Sequence, residues 1–207
     1  MKKGFHVFAL FSFVLFLVNC ASFTPGTINL TSAVSTPGAI DKEGVSVFVR
    51  ELGPTESQRL FDCDIQGEGY TTLSMAISNR SNSVVDFLPS TIPQYVNVEE
   101  VLSKTDFSPT TRLILWSVPW VINIAANQPI YYGILWPIIG LVDMGKANTG
   151  NRNRADFFNN IAIRPIKLQP GQDIQGIVFV RKNYPKPFQL VLMRNDYRIV
   201  FDIFPNF

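Results

Sequence analysis

The sequence predicts a mainly β fold, an antiparallel β-sandwich with an inserted apolar helical hairpin, on three observations. After Gly44, apolar residues recur with period two, as at Val45, Val47 and Val49, which places one face of a strand against a core. Several such runs follow at short intervals with Gly, Asn or Pro turns between them, the rhythm of a sandwich. A third stretch, Leu113 to Val142, carries no formal charge over 30 residues and is interrupted by proline, which suits paired helices better than strands.

In chain order, Met1-Lys2-Lys3 forms a short positive region, Gly4 to Val18 an apolar run, and Leu17-Val18-Asn19-Cys20 closes it ahead of small residues. That is the shape of an export leader. Fifteen apolar residues reach about 22 Å as a helix, short of a hydrocarbon core of about 30 Å. The stretch Leu17-Val18-Asn19-Cys20-Ala21-Ser22 resembles the lipobox of bacterial lipoproteins, with Asn19 standing where Gly, Ala or Ser is usual. The resemblance implies cleavage before Cys20 and acylation of that cysteine. Ala21 and Ser22 lack the Asp that retains such proteins at the inner membrane of enteric bacteria, so the resemblance also implies the outer membrane. A secretory cut after Ser22 and an uncleaved anchor are the alternatives. One acyl chain binds a bilayer marginally, at about 0.8 kcal/mol per buried CH₂, whereas two or three hold it stably.

Residues 20–43 then read as the lipidated cysteine and a flexible tether. Its Ser, Thr, Pro and Gly show no periodicity, and such a chain typically spans about 25 to 30 Å. The sandwich domain is expected over 44–207, with the helical insert at about 111–160. Strands are expected at Val45 to Val49, Tyr70 to Asn79, Val84 to Leu88, Tyr95 to Val101, Ile161 to Leu168, Ile174 to Arg181, Phe188 to Arg194 and Tyr197 to Phe204. Gln66-Gly67-Glu68-Gly69 and Asn79-Arg80-Ser81-Asn82 supply turns, since Gly and Asn tolerate positive φ. In Gln169-Pro170-Gly171-Gln172, Pro presets φ and Gly accepts the positive value that a tight turn needs. Ile177-Val178-Phe179-Val180 is apolar on both faces, as a strand covered from both sides should be. Asn195-Asp196 joins the last two strands as a hairpin. Arg59 to Ile65, with Cys63 between Asp62 and Asp64, reads as strand-like, and Cys63 as a small buried residue.

The apolar insert holds all three tryptophans, Trp116, Trp120 and Trp136. Pro119, Pro129 and Pro137 interrupt it, and Asn127-Gln128-Pro129 breaks its middle. Leu113 to Ala126 and Pro129 to Val142, 14 residues each, would be helices of about 21 Å, too short to span singly. The hairpin either packs on the sandwich as a second core layer or lies at a membrane interface. In the second case Trp116, Trp120, Tyr131, Tyr132 and Trp136 would sit at headgroup depth. Spanning is a third option. The polar, basic stretch Asp143 to Arg154 is expected as a surface loop or a headgroup contact, and Phe157-Phe158 on a short helix should return to the core.

Composition narrows the chemistry. The hydrophobic fraction is 46% against 16% charged, so a core is expected. Of 18 basic residues, Lys2 and Lys3 lie in the leader, leaving 16 to balance 16 acidic ones. A neutral chain with no long basic run gives no reason to expect nucleic acid as a partner. The single histidine, His6, lies in the leader, which removes His-dependent nucleophiles and the commonest transition-metal ligand. Asp62, Asp64, Gln66 and Gly67 echo the start of a calcium loop, but its twelfth position is Leu73. Glu99-Glu100, taken as strand neighbours, point to opposite faces. The expectation is therefore no catalytic residue, no metal site and no cofactor. A carboxylate-only enzyme would require acids such as Asp62, Asp86 and Asp202 to cluster in space.

The run Leu168-Gln169-Pro170-Gly171-Gln172-Asp173-Ile174-Gln175-Gly176-Ile177-Val178-Phe179-Val180, after paired strands and a helical insert, resembles immunoglobulin-like domains of bacterial envelope lipoproteins. That resemblance implies an immunoglobulin-like sandwich over two thirds of the chain and brings no set activity. The expected protein is lipid-anchored in the cell envelope through Cys20. It would act as a non-enzymatic binding or structural module, with membrane lipid as one partner and an envelope protein as another. The alternative is a membrane-contacting or remodelling protein that acts through the hairpin 113–142.

Overall fold

The computed structural model describes residues 23–27, 33, 36–106 and 130–205, leaving out the side chains of 130–140 and 143. The chain forms two compact units, one of Met1–Thr24 with Asp106–Ala155 and the other of Pro25–Thr105 with Asp156–Phe207. Among the described residues the second unit holds nine strands in two antiparallel sheets. These are β1 Ile40–Lys42, β2 Val45–Glu51, β3 Tyr70–Asn79, β4 Val85–Phe87, β5 Tyr95–Val96, β6 Ile166–Leu168, β7 Asp173–Arg181, β8 Phe188–Arg194 and β9 Tyr197–Ile203. One sheet runs β1-β2-β3-β7-β5 and the other β6-β4-β8-β9.

Period two becomes burial where it was expected. Val45, Val47, Val49, Leu73, Met75 and Ile77 join one apolar cluster with Val85, Phe87, Leu190, Leu192 and Phe201 of the other sheet. The opposite face of the first sheet carries a second cluster, with Phe61, Val101 and Phe158 packed on Ile177 and Phe179. Strand β7 feeds both: Val178 and Val180 enter the first cluster, Ile177 and Phe179 the second. Its continuous apolar sequence reflects cover on both sides, and all ten residues of β3 beside it are buried.

The turns obey their local chemistry. Gly171 has φ of 82° in the Gln169–Gln172 turn, and Asn195 has φ of 54° in the β8–β9 hairpin, where Arg194 pairs with Tyr197. A hairpin also lies where a tether was expected. Ile40–Lys42 pairs with β2 through the two-residue turn Glu43-Gly44, both at positive φ (51° and 78°), as a type I′ turn requires. Three charges in a row, Asp41, Lys42 and Glu43, gave this turn the composition of a solvated linker.

Three helices differ from the expectation. Helix α1, Pro54–Phe61, opens with Pro at its first turn and ends at Asp62 with φ of 50°. Arg59 to Ile65 is thus a helix end and turn, not a strand, and Cys63 is half-buried. Leu60 and Phe61 are neighbours that both join the second cluster, which a strand, sending successive side chains to opposite faces, does not allow. Helix α2, Val98–Thr105, replaces most of the strand expected at Tyr95 to Val101. Asn97 caps it, its Oδ1 accepting the Glu100 N–H at 2.8 Å, and Glu99 and Glu100 suit the positive end of the dipole.

Helix α3 runs Ile130–Ile161, 32 residues. It begins beside Pro129, as the second limb of the hairpin should, but does not stop at Val142. The loop expected at Asp143 to Arg154 is helical, and the strand expected from Ile161 begins only at Ile166. Ala147, Gly150, Arg154 and Phe158 are buried at spacings of three and four, the stripe that makes a helix amphipathic. Hydrophobic periodicity does not show this stripe, because two of the four residues are small and one is charged. The first limb, Leu113 to Ala126, lies outside the described residues.

Candidate functional site

Cys20, Trp116 and Trp120 lie outside the described residues. Tyr131, Tyr132 and Trp136 fall on the first two turns of α3, with their side chains outside the description. The structure therefore does not bring the expected lipid attachment and interfacial residues into one described site, and the surface around them is defined by their described neighbours.

Two of those neighbours belong to the first unit and meet across a long sequence distance. The Arg154 guanidinium stands over the Phe23 ring, 5.3 Å from its centroid, within the range of a cation–π contact. Both side chains are buried. Phe23 comes three residues after Cys20, in a stretch expected to be free tether. In the same unit, burial raises the Asp106 carboxyl above the usual carboxylate range, and the charge of Arg154 opposes that rise. In the second unit the Gly26 N–H donates to the Leu60 carbonyl at 3.2 Å. A Cβ on Gly26 would lie 2.4 Å from the Arg59 carbonyl oxygen, so only glycine fits against the last turn of α1.

The outward face of α3 after Pro137 is mixed. Leu141 and Val142 are more than half exposed, at 56% and 53%, and Lys146, Asn148, Thr149, Arg152 and Asn153 are exposed after them. Between Leu141 and Arg154 the exposed ionisable side chains among the described residues are Lys146 and Arg152, both basic. No sequence period announces this surface, because apolar and basic residues share it.

The polar clusters of the second unit are self-contained. Glu51, at the end of β2, is buried; its carboxylate accepts from Tyr184 Oη at 2.6 Å and pairs with Lys186 Nζ at 2.5 Å. Burial, then the hydrogen bond to Glu51, raises the Tyr184 phenol far above its ordinary value. Across the first sheet, Glu100 Oε1 accepts from Tyr70 Oη at 3.2 Å and pairs with Arg181 at 2.7 Å. These contacts pin α2 to β3 and β7. Asp64 Oδ1 accepts the Gly67 N–H at 2.8 Å, so in the echo of a calcium loop this carboxylate holds its own turn. Asp86 pairs with Lys167 at 3.7 Å and Asp202 accepts from Gln189 at 3.1 Å, each on its own strand. Among the described residues no three His, Cys, Asp or Glu side chains stand close enough to hold a metal ion.

A depression of about 300 Å³ lies between the end of α3 and strands β6 and β7, lined by Ile161, Arg164, Pro165, Ile174 and Gln175. Arg164 at its rim is held by Asn159 Oδ1 at 2.9 Å. Among the described residues no helix is long and apolar enough to cross a membrane. Comparison of the chain with protein-family models, curated proteins and solved structures finds no match.

Proposed function

We propose that this protein is a lipid-anchored component of the bacterial cell envelope, held at a membrane through acylated Cys20, where its β unit serves as a non-enzymatic binding or structural module. The observation that carries the proposal is the sequence Leu17-Val18-Asn19-Cys20-Ala21-Ser22 behind a short apolar leader. Placement at the outer membrane follows from the same resemblance. The facing sheets, joined by one apolar cluster, support an immunoglobulin-like sandwich, and the helix that starts beside Pro129 supports a hairpin whose first limb is Leu113 to Ala126.

A binding or structural role fits how this unit uses its charges. Its buried carboxylate, Glu51, is committed to Tyr184 and Lys186, and Glu100 and Asp173 each hold together elements of the fold. Its recognition surface is then backbone and loop rather than a cleft. Specific crosslinking to an envelope protein in cells is the expected sign of that role.

The test is metabolic labelling with a fatty-acid analogue in wild type and Cys20→Ala, combined with membrane fractionation. Label on wild type alone, with the protein in the membrane fraction, supports the reading. A natural protein that carries no fatty acid and fractionates as a solute overturns it.

A further inference from the structure

We propose that the outer edge of β9 docks a second copy of this chain, the two strands pairing antiparallel about Val200, and that Lys42 keeps this association weak. The inference adds a partner to the binding role of the β unit and does not depend on acylation at Cys20.

The backbone makes the edge available. Strand β9 ends the order β6-β4-β8-β9, and at seven residues it is the longest strand at an edge of either sheet; the others hold two or three residues. Arg194 and Tyr197 flank a two-residue turn and pair with each other. Their peptide groups face one another, so alternate residues along β9 turn theirs away from β8. Those residues are Arg198, Val200 and Asp202. The Val200 carbonyl marks the direction, since it accepts from Lys42 Nζ at 2.7 Å. Among the described residues no strand pairs with that side of β9, and such a row of peptide groups is a template for another strand.

The side chains make the edge self-complementary. A two-fold axis through Val200 sets Arg198 of each protomer opposite Asp202 of its partner. Both side chains are exposed, and both lie on the outer face of the sheet, because Ile199 and Phe201 between them turn into the core. Opposite charges therefore meet on one face at both ends of the pair. An axis at Arg198 or at Asp202 would instead set like charges against each other, which destabilises a cross-strand pair. The register at Val200 also carries Tyr197, 59% exposed, to the end of the partner strand where Phe204 is 66% exposed. Lys42 works against association. Its ammonium rests on the Val200 carbonyl and 5.8 Å from the centroid of the Phe201 ring, so pairing about Val200 draws the ammonium groups of the two protomers together. Lysine at an open edge restrains strand addition in this way. The Lys42 side chain is itself exposed and can turn aside, which leaves the charge-matched pairing reversible.

The test is oxidative crosslinking of the full-length protein in detergent, in a Cys63→Ser background that also sets the yield without a new thiol. Val200→Cys places thiols on the axis, where paired Cα atoms lie about 5.5 Å apart and can be bridged. Gln189→Cys places them on β8, on an exposed residue that stays remote from its counterpart in the paired sheet. Several-fold more homodimer from Val200→Cys than from Gln189→Cys is the expected result. Arg198→Glu should lower that yield several-fold, Asp202→Arg added to it should restore the yield, and Lys42→Ala should raise it. No homodimer from Val200→Cys, with or without Lys42→Ala, overturns the proposal. So does equal yield at the two positions, which would mean that copies stack by their faces, and so does a charge swap that fails to restore the yield. An unchanged yield in Lys42→Ala overturns the restraint. In whole cells the Val200→Cys adduct should have twice the mass of the chain; an adduct with another envelope protein in its place would give the edge to a different partner and refute docking of a second copy. Mass spectrometry of the purified protein keeps the two readings apart: an acyl-free chain that pairs through β9 removes the anchor alone, whereas an acylated chain that does not pair condemns this inference alone.

Discussion

The side-chain amide of Asn79 donates to the Leu168 carbonyl at 2.9 Å, tying the last residue of β3 to the last residue of β6 in the opposite sheet. The same Nδ2 donates to the Ser83 carbonyl at 2.8 Å, and Oδ1 accepts the N–H and hydroxyl of Ser81. Asn79 is fully buried, so every polar atom of its amide is satisfied inside the protein.

Asn79→Ala should therefore be among the costliest polar substitutions in the β unit. It removes the partner of two carbonyls, an N–H and a hydroxyl, among which the bond to the Leu168 carbonyl is buried, and an unsatisfied buried group costs about 1 to 3 kcal/mol. A loss of roughly 3 kcal/mol is expected in urea denaturation at neutral pH. Asn79→Asp should be as poor at pH 7, where a carboxylate cannot donate, and should recover partly near pH 4 as the acid protonates. A loss below about 0.5 kcal/mol, the range of ordinary surface changes, would show that the two sheets do not depend on this link.

Tyr184 predicts the alkaline behaviour. Its folded-state phenol titrates above the ordinary value because it is buried and donates to Glu51. A raised folded pKa gives stability that is fully present below the unfolded value of about 10 and is lost as pH rises beyond it. Melts between pH 9 and 11.5 should fall less steeply for Tyr184→Phe than for wild type. Equal slopes would mean that Tyr184 ionises as freely in the folded protein as in the unfolded chain.

Glu56 predicts a smaller effect of opposite sign. Hydrogen bonds from Arg50 at 2.7 Å lower its carboxyl below the ordinary range. Stability from a depressed carboxyl is present above about pH 4.3 and is lost as pH falls through the folded value. Both side chains are about a third or more exposed, so screening holds the contribution to about 0.5 to 1 kcal/mol. Glu56→Gln should cost that much at pH 7 and nothing at pH 3, by chemical denaturation at each pH.

What could be read from the sequence divides along the same physical line. Val45, Val47 and Val49 announced their strand because one face is apolar and the other is not, and Gly171 and Asn195 announced turns because few residues accept their φ. Helix α2 was hidden because its signal is the cap at Asn97 and the acids behind it, while Val98 and Val101 also suit a strand. The end of α3 was hidden because its buried stripe contains Gly150 and Arg154, residues that hydrophobic periodicity does not count. The β1 hairpin was hidden because Glu43 occupies a position where Gly or Asn is usual. The contact of Phe23 with Arg154 had a different obstacle: the two residues lie 131 positions apart, and nothing in the sequence links them.

Gly176 supplies the sharpest packing prediction. It sits within β7 opposite Met75, and the chain leaving α3 crosses directly over it. A Cβ there would lie 2.5 Å from the Ile161 carbonyl oxygen and 2.8 Å from Ile163 Cγ1. The closer atom is backbone, fixed because Ile163 N–H donates to the Ile177 carbonyl at 2.9 Å and Ala162 bridges Ile177. Gly176→Ala should therefore push the helix exit off the sheet, at a cost of about 2 kcal/mol within the usual range for overpacking. Trimming the side chain with Ile163→Val should restore little, because the carbonyl remains in the way. By hydrogen exchange, the Ile163 amide should lose protection in Gly176→Ala while the amides that pair β3 with β7 keep theirs. Full rescue by Ile163→Val would place the constraint in the side chain and refute the close backbone approach.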